Sequence, residues 1–229
     1  DSRSDLSLIN VGEVAILGLD NVSEGAEYRV NYDGIAVETQ TVVAMHTGRE
    51  AESDVTLDIT GVDGVIGTLN LVVSDGVYLA LEHDANLVEN LIITGDGELR
   101  LSGDDLFPVL ETLDTLGYDG DVNLDISGSG TVTSVLTGDG DDMITMSAAS
   151  FSADTSPTSV DLGMGDNSLI LVDNFETTPD GTYTGGGLID SGELSALDFT
   201  LAPVMNVQTL ELVDVDLGGD ASLDLDGVG

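Results

Sequence analysis

The sequence predicts an all-β fold: a small N-terminal β module over residues 1–55, then a parallel β-helix or β-solenoid over residues 56–229. Three observations lead there. Short runs of Val, Leu, Ile and Thr recur between clusters of Gly, Asp, Asn and Ser, the pattern of strands and tight turns. A strand–turn–strand unit returns every ~20 to 30 residues, the range of a solenoid coil. The chain of 229 residues is 41% hydrophobic with a mean hydropathy of +0.18, so it can build a core despite its charge. A tandem β-sandwich, with similar strands joined by hairpins, is the alternative.

In the N-terminal module, Tyr28-Arg29-Val30-Asn31-Tyr32 and Ile35-Ala36-Val37-Glu38-Thr39 flank Asp33-Gly34, which predicts a hairpin. A loop or short helix is expected from Thr47 to Ser53. Arg3, Arg29 and Arg49 make this segment less acidic than the rest. Beyond it, Asp54–Thr60, Asp121–Ile126 and Ala221–Asp226 alternate apolar and polar residues, so each should have one buried and one wet face. Thr68–Val73 and Leu91–Ile93 are apolar throughout and fit strands covered on both sides, or the inner wall of a closed stack. The repeat unit is read at Leu69–Leu79, Asn90–Leu101, Val122–Thr133 and Gln208–Asp220. Leu110–Asp114 and Val207–Glu211 look like one rung position. Asp104-Asp105-Leu106-Phe107-Pro108-Val109-Leu110 predicts a short helix, with an acidic cap and an early Pro.

Charge sets the terms for function. Acidic residues number 44 (31 Asp, 13 Glu) against 4 Arg and no Lys, a formal net charge of −40. Nothing is available to neutralise phosphates, which excludes nucleic-acid binding, and attraction to an anionic membrane surface fails for the same reason. No apolar run is long enough for a membrane-spanning helix. Without Cys there is neither a disulfide nor a thiolate metal site. Asp1-Ser2-Arg3-Ser4-Asp5 has no initiator Met and no basic leader, and reads as the start of a mature, processed or excised chain.

An excess of Asp beside 29 Gly concentrates charge in tight turns, where carboxylates and carbonyls suit a hard divalent cation. A solvated acidic surface of the halophile kind, needing salt but no specific ion, is the competing explanation. The spacing favours the cation. Thr137-Gly138-Asp139-Gly140-Asp141-Asp142-Met143-Ile144-Thr145 fits the nonapeptide G-G-x-G-x-D-x-U-x except at its first position. Its glycines permit a tight turn that aims carbonyls inward, Asp142 adds a carboxylate, and Ile144 anchors the turn in the core. A second turn is Leu162-Gly163-Met164-Gly165-Asp166-Asn167-Ser168-Leu169-Ile170, with Asn167 where the key Asp should stand. Gly138 and Gly163 are 25 residues apart, so the turns are expected to stack and share Ca2+. The expected metal-site residues are Gly138, Asp139, Gly140, Asp141, Asp142, Asp161, Gly163, Gly165, Asp166 and Asn167, holding a few ions rather than a long array. Thr94-Gly95-Asp96-Gly97 and Gly218-Gly219-Asp220 are weaker candidates.

On Leu136–Asp142 and Val160–Asp166, with the phrases Leu113–Thr115, Asp121–Gly128 and Val207–Leu212, residues 56 to 229 resemble the RTX-type calcium-dependent bacterial surface-layer (S-layer) proteins and related repeat adhesins. The resemblance implies an exported protein that folds as a β-solenoid once calcium is present and assembles outside the cell. The expectation is therefore an extracellular, cell-surface structural protein that self-assembles with calcium into a surface layer or filament, with cell-surface polysaccharide as a further partner. A segment of a large adhesin binding carbohydrate or a surface is the alternative. No enzyme is expected. His46 and His83 each stand alone as surface or loop histidines, no nucleophile motif is present, and Arg100 is the only basic residue after Arg49. Gly185-Gly186-Gly187 reads as a loop tip, and the sequon Asn21-Val22-Ser23 as a chance match.

Overall fold

The computed structural model describes residues 5–11, 16–20, 22, 26–32, 37–47, 55–61, 65–83, 85–102, 106–151, 158–172, 194–198, 204–213 and 217–224. These form a parallel β-solenoid with no α-helix among them. The strands are β1 (Leu6–Val11), β2 (Ile16–Asp20), β3 (Glu27–Tyr32), β4 (Val37–Thr47), β5 (Val55–Thr60) and β6 (Ile66–His83). Then follow β7 (Val88–Gly95), β8 (Leu99–Ser102), β9 (Thr112–Tyr118), β10 (Asn123–Asp125), β11 (Ser134–Leu136) and β12 (Met143–Ser147). The last are β13 (Ser159–Asp161), β14 (Ser168–Val172), β15 (Leu194–Asp198), β16 (Val204–Met205), β17 (Thr209–Val213) and β18 (Leu217–Asp224).

Every ladder is parallel, which decides for the solenoid over the sandwich. One series runs β2–β4–β6–β7–β9–β11–β13–β16. A second runs β1–β3–β5–β6–β8, and a third β10–β12–β14–β17. β6 belongs to two series because it bends at Asp75-Gly76, both with positive φ (56° and 68°). Its first half pairs with β4 and β7, its second with β5 and β8. β15 and β18 pair with each other in a separate sheet.

The register stacks like on like. Leu69, Leu91, Leu113, Val135, Val160 and Val204 form one column, each at most 1% exposed. Leu124, Ile144, Leu169 and Leu210 form another in the third series. Each fully buried aliphatic side chain contributes roughly 1.5–3 kcal/mol, so these columns are the main cohesive force between coils. In β5, Val55, Leu57 and Ile59 are buried as the alternation predicts, but Asp58 on the face expected to be wet is buried too; in β10 and its flanks Val122, Leu124 and Ile126 are buried. The runs that are apolar throughout also alternate: Leu69, Leu71 and Val73 are buried while Asn70 and Val72 are half-exposed. They line the inner wall and are not covered on both sides.

Four expectations are corrected. β3 and β4 do not form a hairpin; β3 pairs with β1 and β5, β4 with β2 and β6, all parallel, while residues 33–36 lie outside the described ones. Residues 106–110 form a turn rather than a helix: Phe107 has a φ of 59° and its carbonyl accepts from the Leu110 amide. Leu110–Asp114 and Val207–Glu211 are not one rung position, since Leu113 stacks below Val135 and Leu210 beside Leu169. The repeat units at Leu69 and Asn90 align, but the unit at Val122 begins on the third series and is offset by part of a coil. The parallel ladders pass through residue 55, and Arg29 on β3 donates from Nε to the buried Asp58 on β5 at 2.6 Å. The expected loop or helix from Thr47 to Ser53 lies, beyond Thr47, outside the described residues.

Candidate functional site: a stacked acidic corner and its inner polar ladder

Each coil turns one corner through a short string: Gly95-Asp96-Gly97-Glu98, Tyr118-Asp119-Gly120-Asp121, Gly138-Asp139-Gly140-Asp141 and Gly163-Met164-Gly165-Asp166. The strings stack in register. Gly95 lies opposite Tyr118, and Asp139 bridges to Met164. The Asp119 amide donates to the Gly95 carbonyl at 3.0 Å and the Met164 amide to the Gly138 carbonyl at 3.3 Å. Down the middle runs a column of Gly97, Gly120, Gly140 and Gly165. A Cβ on Gly165 would lie 1.9 Å from the Gly140 carbonyl oxygen, and Gly97, Gly140 and Gly165 hold φ values of 96°, 148° and 136°. Only glycine lets successive coils approach this closely.

Carboxylates flank that column on both sides: Asp96, Asp119 and Asp139 on one, Glu98, Asp121, Asp141 and Asp166 on the other. Asp121 Oδ1 accepts from the Asp141 amide and Asp141 Oδ1 from the Asp166 amide, both at 2.9 Å. Coils are about 4.8 Å apart, so adjacent charges repel by on the order of 1 kcal/mol even at the dielectric of water. At the N-terminal end of the same corner His46 stands between two carboxylates. Its Nε2 is 3.5 Å from Asp75 and its Nδ1 3.9 Å from Asp20.

Beneath the corner lies a second ladder, buried at Val122, Asp142 and Asn167 and exposed at its end, Gln208. Val122, Asp142, Asn167 and Gln208 occupy one column, each a residue before the paired strands. Asp142 Oδ1 accepts from the Val122 amide at 2.8 Å, Asn167 Oδ1 from the Asp142 amide at 2.9 Å, and Gln208 Oε1 from the Asn167 amide at 2.7 Å. Side-chain oxygens thus replace the main-chain ladder where the turns prevent it. Asn167 completes its bonding through Nδ2, which donates to the carbonyls of Leu162 at 2.7 Å and Asn206 at 3.0 Å. Asp142 does not complete its own. It is 1% exposed, and its Oδ2 has no hydrogen-bond partner; neither have the buried hydroxyls of Thr115 and Thr137. Burial pushes the Asp142 carboxyl up from the usual carboxylate range, and the charges of Asp121 and Asp141 add to that. An interaction with the Thr137 hydroxyl, which falls short of full hydrogen-bond geometry, and the bond from the Val122 amide pull the other way.

The ten residues expected at the metal site divide between these two ladders. Gly138, Gly140, Gly163 and Gly165 are in the corner, and a Cβ on Gly163 would fall 1.9 Å from the Gly138 carbonyl oxygen, so the two turns do stack. Asp139, Asp141 and Asp166 project outward as exposed residues, whereas Asp142 and Asn167 point inward and are buried. Asp161 is not gathered with them: its Oδ1 accepts from the Gly163 amide at 3.1 Å and from Asn206 Nδ2 at 2.6 Å. Thr94–Gly97 is a rung of the same corner, while Gly218-Gly219-Asp220 is in β18, in the separate sheet. Sequence reading missed Glu98, Asp119, Asp121, Thr115, Thr137 and Gln208. The string Asp-Gly-acid at 96, 119 and 139 could have found the outer ones; the inner ones carry no local signature.

Among the described residues no group of three Asp, Glu or His converges as a metal-binding cluster. A cation at Asp142 would take one carboxylate oxygen and draw its remaining ligands from hydroxyl and main-chain oxygens. That donor set, all hard oxygen, fits Ca2+. No family model, curated protein or solved structure matches the chain. Fold and site define a class by themselves: a parallel β-solenoid with stacked acidic turns and an inner ladder of side-chain oxygens.

Proposed function

We propose that this chain is an extracellular structural protein whose solenoid is completed by calcium and which assembles with copies of itself into a surface layer or filament. The observation that supports calcium best is the orphaned, buried Oδ2 of Asp142 beneath the carboxylate columns of the corner. A buried carboxylate oxygen without a donor is strongly unfavourable, and a hard dication beside it removes that penalty while screening the corner. Calcium at 100 times its dissociation constant would add about 2.7 kcal/mol per site, a large share of a typical domain stability of about 5–15 kcal/mol.

Self-assembly draws support from the first coil. Among the described strands β1 pairs only with β3 and β2 only with β4, leaving edges able to accept a further parallel strand. Ile9 and Ile16 there are each 64% exposed. Circular dichroism melting in calcium and in EDTA tests the first half of the reading, and negative-stain microscopy across a calcium titration tests the second. Coincident melting curves would sink the calcium role; persistent monomers at saturating calcium would sink assembly.

A further inference from the structure

The two turns that match one sequence pattern differ at the inner positions Asp142 against Asn167 and Thr137 against Leu162, all four buried. The ladder register places Asp142 and Asn167 one above the other. They use Oδ1 alike, each accepting the main-chain amide of the preceding coil, from Val122 at 2.8 Å and from Asp142 at 2.9 Å. The difference lies at the other terminal atom. Asn167 Nδ2 donates to the Leu162 and Asn206 carbonyls at 2.7 and 3.0 Å and lies 3.4 Å from the Gly163 carbonyl. In the coil of Asp142, Thr137 and Gly138 hold the positions that Leu162 and Gly163 hold in the next. There the corresponding side-chain atom is Oδ2, which in the ionised form has no hydrogen to give, and it has no hydrogen-bond partner.

We propose that the Asn167 amide is a built-in substitute for a cation. Its two polarised hydrogens bridge the side chain to carbonyl oxygens, the task that a bound ion performs beside a carboxylate. The inference rests on the calcium reading of Asp142 and deepens it: of two matching turns, one is locked by calcium and the other is locked permanently. The chain therefore keeps one coil insensitive to calcium directly above one that responds to it.

The test uses the full chain as wild type, Asp142→Asn and Asn167→Asp, with calorimetric calcium titration and thermal melting in EDTA and in calcium. Asp142→Asn should bind one ion fewer than wild type and melt higher in EDTA. Asn167→Asp should melt lower in EDTA, recover in calcium, and bind one ion more. An Asn167→Asp chain that melts as wild type in EDTA, or gains no ion, overturns the inference. If that variant does not fold in EDTA, refolding on addition of calcium supports the inference and failure to refold overturns it. Wild type without any calcium response, beside a calcium-responsive Asn167→Asp, would overturn the calcium reading of Asp142 while leaving the role of the amide standing. A responsive wild type beside an Asn167→Asp chain whose calcium response is no larger would overturn the role of the amide while leaving the calcium reading of Asp142 standing.

Discussion

Asp142 is a buried carboxyl, and its protonation bears on folding. Its folded pKa stands above that of the unfolded chain, chiefly because it is buried. The fold prefers the neutral form, so its stability contribution is full below the unfolded value of about 4 and is lost as pH rises through the folded value. In EDTA, melting temperature should therefore fall as pH rises from about 4, and Asp142→Asn should remove part of that slope. On the proposed calcium role, the ion and the proton would compete for Oδ2, so calcium should flatten the wild-type profile. Thermal melts across that range, with and without chelator, check this. Tyr118 gives an alkaline counterpart. Its hydroxyl donates to the Gly97 carbonyl at 2.6 Å, and burial, with the charge of Asp121, pushes its pKa up to about 12. This contribution is present below about 10 and lost as pH rises through about 12. Tyr118→Phe should delete the late-ionising tyrosine from an ultraviolet pH titration and cost about 1 kcal/mol of stability.

At the scale of elements, two columns of opposite character hold the coils in register. Leu113 lies in the aliphatic column, and Leu113→Ala should cost about 3 kcal/mol by denaturant unfolding, because stacked neighbours on both sides limit collapse of the cavity. Gly163 lies in the corner with a φ of 66°, and a Cβ there would meet the Gly138 carbonyl oxygen at 1.9 Å. Gly163→Ala should cost on the order of 3 kcal/mol, from backbone strain together with the clash. Such elements were unevenly legible. Alternation placed Val55, Leu57 and Ile59 correctly inside because period two is a local property of a strand. The expectation of a hairpin at Asp33-Gly34 failed because only pairing partners distant in the chain distinguish antiparallel from parallel strands, and β3 and β4 find theirs in β1, β5, β2 and β6. Pro108 misled because a helix start and a tight turn share that residue, and the turn over residues 106–110 is set by the positive φ of Phe107.

For the whole molecule, a net charge of −40 opposes compaction, and among the described residues carboxylates stack along one corner. Sodium chloride should raise the melting temperature in EDTA by shortening the screening length, about 8 Å at 0.15 M ionic strength. Calcium at matched ionic strength should raise it further, because a site acts on oxygens too close together for screening to relieve. Equal effects of the two salts would reduce the acidic corner to a solvated surface.

The sequence by itself determined the strand class, the acidic exterior, the absence of thiol chemistry and the stacking of the turns at Gly138 and Gly163. All of these follow from composition, local period or a repeated spacing. Tertiary structure alone decided that Asp142 turns inward while Asp141 turns out, that Thr115 and Thr137 are buried, and that Gln208 bonds into the inner ladder. It also decided that Asn167 satisfies itself where Asp142 cannot. The reason is that a parallel coil brings together residues some 20 or more positions apart, and no local pattern records which of their atoms will meet.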